Sequence, residues 1–203
     1  MAGGKIILGL CGGTGSWSKP YREAGYDVRL VTLPENNVLT YEPPENVYGI
    51  LAAPPCTAFS PTGRRDKKAM DKALEIVKAC QKIIDICKPK WWALENPVGY
   101  LKDYIGKPKM IFQPFEYGDG CTKKTAVWGN FNIPNRIYNW ENCPKVNLPI
   151  RAGREKPSLP YAHKSQILVL PQLKQFKNLC KTDADARAIT PPGFARAFFE
   201  VNQ

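Results

Sequence analysis

A single histidine, His163, stands in this chain of 203 residues. One imidazole argues against a Ser-His-Asp triad and against a multi-histidine metal centre. Lying between Ala162 and Lys164, His163 reads as a loop residue. The seven cysteines are odd in number, irregularly spaced and without a C-x-x-C pair. That pattern argues against a disulfide framework and against a structural zinc site. A reducing, cytoplasmic compartment is the expectation. No apolar run approaches the roughly 20 residues of a membrane helix. Met1-Ala2-Gly3-Gly4-Lys5 leads straight into an apolar stretch without the plan of a signal peptide. Acidic residues are also scarce: 18 Asp and Glu face 29 Lys and Arg, a formal charge of +11. Such an excess favours a polyanionic partner, with nucleic acid first, although a basic surplus also serves solubility.

What is present describes a globular protein. Hydrophobic residues make up 43% and aromatics 11%, and the length suffices for one domain with a sizeable core and a small appendage. Residues 5–10 read as a strand, followed by the turn Cys11-Gly12-Gly13-Thr14-Gly15-Ser16, a helix over 17–25 and a second strand over 26–33. Strand, glycine turn, helix, strand opens a Rossmann-like, doubly wound, mostly parallel α/β sheet. The glycines let backbone approach a ligand closely, though such turns also occur with no ligand. No Gly-Lys-Ser/Thr follows, which excludes a phosphate P-loop.

The rest of the chain is arranged about Ala53-Pro54-Pro55-Cys56-Thr57-Ala58-Phe59-Ser60. It follows a buried strand at 48–52, so Cys56 falls where ligands collect in open α/β sheets. From the residues alone, Cys56 is either a structural thiol after a rigid turn or a reactive one. The next residues, Pro61 to Lys68, form a basic loop suited to phosphate contact or to plain solvation. Apolar residues recur at helical spacing over 69–88, with Cys80 and Cys87 on the core stripe and Pro89 as terminator. A short strand, Trp91 to Leu94, carries Glu95-Asn96-Pro97 at its carboxyl end, where apolar surroundings favour a protonated acid. Residues 112–117 and 126–131 read as a strand pair. Beyond 132 the pattern weakens, with a short strand at 167–170, a short helix at 172–180 and a terminal helix at 192–201.

These blocks together resemble the DNA cytosine-5 methyltransferases, in the unusually small form often carried by viruses of bacteria. Leu8-Gly9-Leu10-Cys11-Gly12-Gly13-Thr14-Gly15-Ser16-Trp17 is similar to the family's cofactor loop. Pro54-Pro55-Cys56 resembles its Pro-Cys nucleophile block and Glu95-Asn96-Pro97 its Glu-Asn-Val block. Tyr117-Gly118 through Val127 sits where the family has Gln-x-Arg-x-Arg, and Arg187-Ala188-Ile189-Thr190-Pro191 resembles a later Arg-x-Leu-Thr-Pro block. The resemblance implies S-adenosyl-L-methionine as cofactor and DNA as partner. It implies Cys56 as nucleophile, Glu95 as the group at cytosine N3 and Lys123 as a positive charge near the cysteine or cytosine O2. Cofactor contacts fall on Leu10, Cys11, Gly13, Thr14, Gly15, Trp17, Leu33, Asn37, Val38 and Pro54. DNA contacts fall on Ser60, Arg64, Arg65, Thr125 and Arg187. No metal and no membrane are implied, and a monomer in the cytoplasm (the host's, for a virus) is expected.

The departures are specific. Leu33 stands where the family has an acid for the cofactor ribose, with Glu35 as a nearby substitute. Asn37-Val38 stands for an Asp-aliphatic pair, and Cys121, Lys123 and Thr125 align with Gln-x-Arg-x-Arg. The expected organisation is a catalytic core over 1–131, a reduced recognition region over 132–186 and a terminal helix over 187–203 returning to the core. The recognition interval mixes Arg136, Arg151, Arg154, Lys156 and Lys164 with Tyr138, Trp140 and Tyr161, a composition for phosphate contact and stacking. Three functions compete: a DNA cytosine-5 methyltransferase, an enzyme of the same chemistry acting on a free cytidine nucleotide, and a non-catalytic DNA-binding relative.

Overall fold

A computed structural model of the chain describes residues 4–60 and 66–203. Six strands form one sheet in the order β2-β1-β3-β4-β6-β5. They are β1 (Ile6–Leu10), β2 (Asp27–Val31), β3 (Val47–Ala52), β4 (Trp91–Pro97), β5 (Met110–Phe112) and β6 (Thr125–Asn130). The helices are α1 (Lys19–Glu23), α2 (Lys67–Cys87), α3 (Lys102–Ile105), α4 (Lys164–Ile167), α5 (Asp183–Ala188) and α6 (Pro192–Val201). Strands β2, β1, β3 and β4 run parallel, and β6 runs antiparallel to β4. This is the doubly wound, mostly parallel sheet expected from the sequence.

The chain divides into two compact units. The first comprises Met1–Ile111 and Thr125–Phe131, the second Phe112–Lys124 and Asn132–Gln203. In the first, Ile7, Leu8, Leu10, Ile50 and Ala52 are completely buried, as central parallel strands must be when both faces are covered. Helix α2 lays Met70, Ala73, Val77, Cys80, Ile83 and Ile84 on that core. It starts where the Asp66 carboxylate accepts the Lys68 amide at 3.0 Å and stops at Lys88, whose φ of +44° breaks the helical run before Pro89. Cys80 is fully buried, whereas Cys87 is only half-buried at the last turn. Two glycines are required by the sheet. A Cβ on Gly49 would sit 2.3 Å from the Trp91 ring, and one on Gly129 would sit 2.1 Å from the Trp92 carbonyl oxygen.

The second unit has its own core of Leu159, Ala162, Ile167, Leu168, Phe176 and Ile189, among others. In the same unit Phe194 of α6 stacks on Phe112 with ring centroids 3.7 Å apart and meets Tyr117 edge-on. Helix α6 has the bounds expected from the sequence. Other assignments change, and the expected helix at 172–180 is a 3-10 helix over Lys174–Leu179. Pro114–Tyr117 is a 3-10 helix rather than the second half of a strand, because Pro114 has no amide to donate and Gln113 and Glu116 form a capping box around it. The stretch 167–170 is not a strand: Ile167 closes α4 and Leu170 accepts the Leu173 amide in a turn. Ile167, Leu168 and Leu170 enter the core of this unit while Val169 is exposed, and an apolar run of four cannot distinguish a helix end and turn from a strand. The expected helix at 17–25 shortens to Lys19–Glu23, since Trp17 and Ser18 belong to the glycine turn.

Candidate functional site

In the first unit the parallel strands β1 and β3 finish level, and β4 runs in register beside them before continuing to Pro97. Leu10 pairs with Ala52, and Ala52 pairs with Leu94. With strands about 4.8 Å apart, the residues that follow, Cys11, Ala53 and Glu95, stand side by side on the carboxyl edge of the sheet. This register brings together three blocks that lie more than forty residues apart in sequence.

On β1 the glycine turn is held by the Cys11 amide, which donates to Val31 O at 2.8 Å, and by the Gly15 amide, which donates to Gly12 O at 2.8 Å. Cys11, Gly13 and Gly15 have φ of +54°, +49° and +67°. Leu30 packs under the turn so closely that a Cβ on Gly9 would lie 2.7 Å from it, and one on Gly15 3.0 Å. A Cβ on Gly13 would meet nothing within 4 Å, so this part of the turn presents bare backbone. Trp17 is buried, and Ser18 Oγ donates to Gly15 O. Cys11 hydrogen-bonds the Cys80 thiol of α2, a contact that, together with burial, pushes Cys80 well above the ordinary thiol range.

Beyond β2 the structure corrects one expectation. The strand ends at Val31, so Leu33 lies past it, 70% exposed and with no acceptor atom on its side chain. Asn37 Oδ1 accepts the Leu39 amide at 3.1 Å in a local turn, and Val38 is buried in the core cluster. Glu35, two residues after Leu33, is exposed and carries a carboxylate.

The Pro-Cys loop is anchored at both ends. Ala53 N donates to Leu10 O at 2.9 Å, and Pro54 O accepts from Asn96 Nδ2 at 3.0 Å. Cys56 then opens a 3-10 turn, Thr57–Phe59, in which Phe59 is fully buried and its carbonyl accepts the Tyr100 amide. Between these anchors Cys56 remains partly exposed, as does Ser60. Glu95 is not at a free strand end. Strand β4 continues to Pro97 because β6 pairs with it, setting Glu95 opposite Val127, Asn96 opposite Ala126 and Pro97 opposite Thr125. Glu95 is half-buried, with its Oε2 shielded from solvent, and Thr125 is buried. Asn96, which the sequence presents only as the middle of a motif, is the residue that ties the Glu95 strand to the cysteine loop. Its signal was the Glu-Asn-Pro block itself, since an amide between an acid and a proline can donate without adding charge.

Other candidates belong to the second unit. Lys123 belongs to the second unit, where it is buried, donates its amide to Gln113 Oε1 at 3.0 Å and lines an open groove. Cys121 is buried there, and desolvation pushes its thiol up to about 12. The Arg187 guanidinium donates to Ala162 O at 2.8 Å and meets Asp183 at 3.5 Å within the second unit. His163 contacts the same Asp183 at 2.9 Å. Arg64 and Arg65 lie outside the described residues. Among the described residues no three His, Cys, Asp or Glu side chains gather to hold a metal ion.

No family model matches the chain, and neither does any curated protein. Solved structures do. One is a protein assigned as a DNA modification methyltransferase encoded within a prophage of E. coli, at 14% identity and a TM-score of 0.50 over 70% of this chain and 52% of that one. Another is a variant of DNMT2 from Spodoptera frugiperda, at 16% identity and a TM-score of 0.42 over 74% of this chain and 57% of that one. The chain thus spans little more than half the length of each. With its six-stranded mixed sheet flanked by helices, the chain has the Rossmann-like methyltransferase fold.

Proposed function

We propose that this protein is an S-adenosyl-L-methionine-dependent DNA methyltransferase that acts at carbon 5 of cytosine through Cys56. The observation that carries the reading is the level register Leu10–Ala52–Leu94, locked by the Asn96–Pro54 hydrogen bond. It sets a glycine turn, a partly exposed thiol and a half-buried carboxylate along one sheet edge, in the motif order of the family that the sequence resembles. The likeness to a solved methyltransferase structure supports the fold, and the charge of +11 supports a polyanionic substrate.

The residues fit the cofactor in part. The turn from Leu10 to Gly15 offers bare backbone at Gly13, Leu33 offers an exposed apolar surface, and Glu35 is the nearby carboxylate for ribose hydroxyls. When bound, S-adenosyl-L-methionine supplies an electrophilic methyl group. The chain supplies the rest. The Cys56 thiolate adds to carbon 6 of cytosine, which otherwise is a poor nucleophile at carbon 5. Glu95 holds a proton at N3 as charge builds on the ring. After methylation, loss of the carbon 5 proton expels Cys56 and restores the aromatic ring. In a duplex that ring face is inaccessible, so the target base must leave the stack.

The test is transfer of labelled methyl from S-adenosyl-L-methionine to duplex DNA, single-stranded DNA and dCMP in parallel, with Cys56→Ala as control. Label on DNA that disappears in the variant is the expected result. Label on dCMP alone would move the enzyme to free nucleotides. Salt-sensitive DNA binding without transfer to any of the three would leave a binding protein.

A further inference from the structure

The second unit contains an open groove of about 600 Å³. One wall is pinned. Thr122 pairs with Ser158, its amide donates to Pro157 O at 2.8 Å, and its carbonyl accepts the Leu159 amide at 3.1 Å. The turn Arg151 to Arg154, closed by the Arg154 amide on Arg151 O, also lines the groove. Five cations line the groove, Lys123, Lys124, Arg151, Arg154 and Lys156, against one carboxylate, Glu155. Among the described residues, Lys124, Arg151, Arg154 and Lys156 form no ion pair.

Aromatic faces alternate with these charges. The Arg151 guanidinium lies 4.7 Å from the centre of the Tyr161 ring and donates to its hydroxyl. Lys156 sits 5.1 Å from the Phe115 ring and 5.0 Å from the Trp140 ring, which meet each other edge-on. Tyr161 is exposed and Phe115 half-buried. Sites of roughly 300–1,000 Å³ enclose groups of small-molecule size, which is one or two nucleotides and far less than a double helix. Cations along a concave track with rings between them are the arrangement that grips unpaired strands: phosphates pair with the cations and bases stack on the rings.

We infer that this groove binds an unpaired stretch of a DNA strand, with phosphates on Arg151, Arg154 and Lys124 and bases on Tyr161 and Phe115. The inference deepens the functional reading above, and it rests on that reading only for DNA as the polymer. It goes beyond it in making the recognition unit prefer single strands.

Fluorescence anisotropy with the full chain tests it, using a labelled 12-residue oligo-dT, the matching oligo-U, a duplex of equal length, and heparin as a polyanion without bases. Oligo-dT is expected to bind at least about tenfold tighter than the duplex and tighter than oligo-U. The double variant Arg151→Ala/Arg154→Ala should weaken all four ligands and flatten the salt slope for oligo-dT by about 1.4, at roughly 0.7 per lost phosphate contact. Tyr161→Leu keeps every charge and should cost at least about fivefold for oligo-dT, the low end of one lost stacking contact, while heparin binding stays unchanged. Equal or tighter binding of the duplex, or full oligo-dT affinity in Tyr161→Leu, would overturn the groove assignment. Preference for oligo-U would overturn DNA as its polymer. Absence of methyl transfer with these affinities intact would sink the enzyme reading and leave the groove standing.

Discussion

Asn96 donates from Nδ2 to the carbonyl of Pro54 at 3.0 Å, between residues 42 positions apart. Asn96 is 1% exposed, and its Oδ1 is buried without a hydrogen-bond partner among the described residues. A buried amide with half its capacity unused is costly, and the half that is used offsets part of that cost. That half holds the Pro-Cys loop against the strand carrying Glu95.

Replacing Asn96 should therefore damage the loop more than the sheet. Asn96→Leu deletes the donor and leaves Pro54 O without it, at a cost of about 1–3 kcal/mol in urea unfolding. Methyl transfer should fall mainly in kcat, with KM for S-adenosyl-L-methionine little changed. A variant with full kcat would show that the bond has no positioning role.

Glu95→Gln keeps the shape of the side chain and removes the proton it could hold. Turnover should drop by about 10²–10⁴ while the melting temperature stays close to that of the parent. Stopped-flow or quench-flow methyl transfer reads the first quantity and calorimetry the second. Undiminished turnover would remove Glu95 from the mechanism.

Gly129→Ala should cost more than about 3 kcal/mol or prevent folding. The new Cβ would lie 2.1 Å from Trp92 O and 3.0 Å from Ala93 Cα, both backbone atoms, at a φ of +144°. Neither neighbour can rotate away. Expression yield and urea unfolding check this, and a wild-type midpoint would mean that β6 is displaced from its register.

Asp119 sets a pH dependence. Burial pushes its carboxyl up to about 7, against the pull of the Gly193 and Phe194 amides that it accepts. A raised folded-state value stabilises the protein fully below the ordinary carboxylate range. That contribution is lost as pH climbs through about 7, and it amounts to at most on the order of 4 kcal/mol. Stability should thus fall between pH 4 and 7 by this group, and Asp119→Asn, which keeps an acceptor for Gly193, should remove that part of the slope. Thermal melts of both proteins across the range measure it. Identical slopes would place the titration elsewhere.

Much of the first unit was legible in sequence because it obeys local rules. Alternating strand and helix periods located β1, β3 and α2, and the positive-φ turn at Gly13 and Gly15 announced itself by composition. The second unit was less legible. Pro114–Tyr117 and residues 167–170 carry apolar runs too short for periodicity to separate helix from strand.

The sequence by itself determined which chemical groups exist: the thiol of Pro54-Pro55-Cys56, the acid of Glu95-Asn96-Pro97, seven cations dispersed from 123 to 156. Each is a property of covalent neighbours. Only the tertiary structure decided which of them share a surface. Strand register, a matter of backbone pairing over distant segments, placed Cys11, Ala53 and Glu95 on one edge. The pairing of Thr122 with Ser158 likewise gathered Lys123, Arg151 and Tyr161 around one groove. Such pairings are set by long-range packing and loop closure, and no local pattern of residues encodes them.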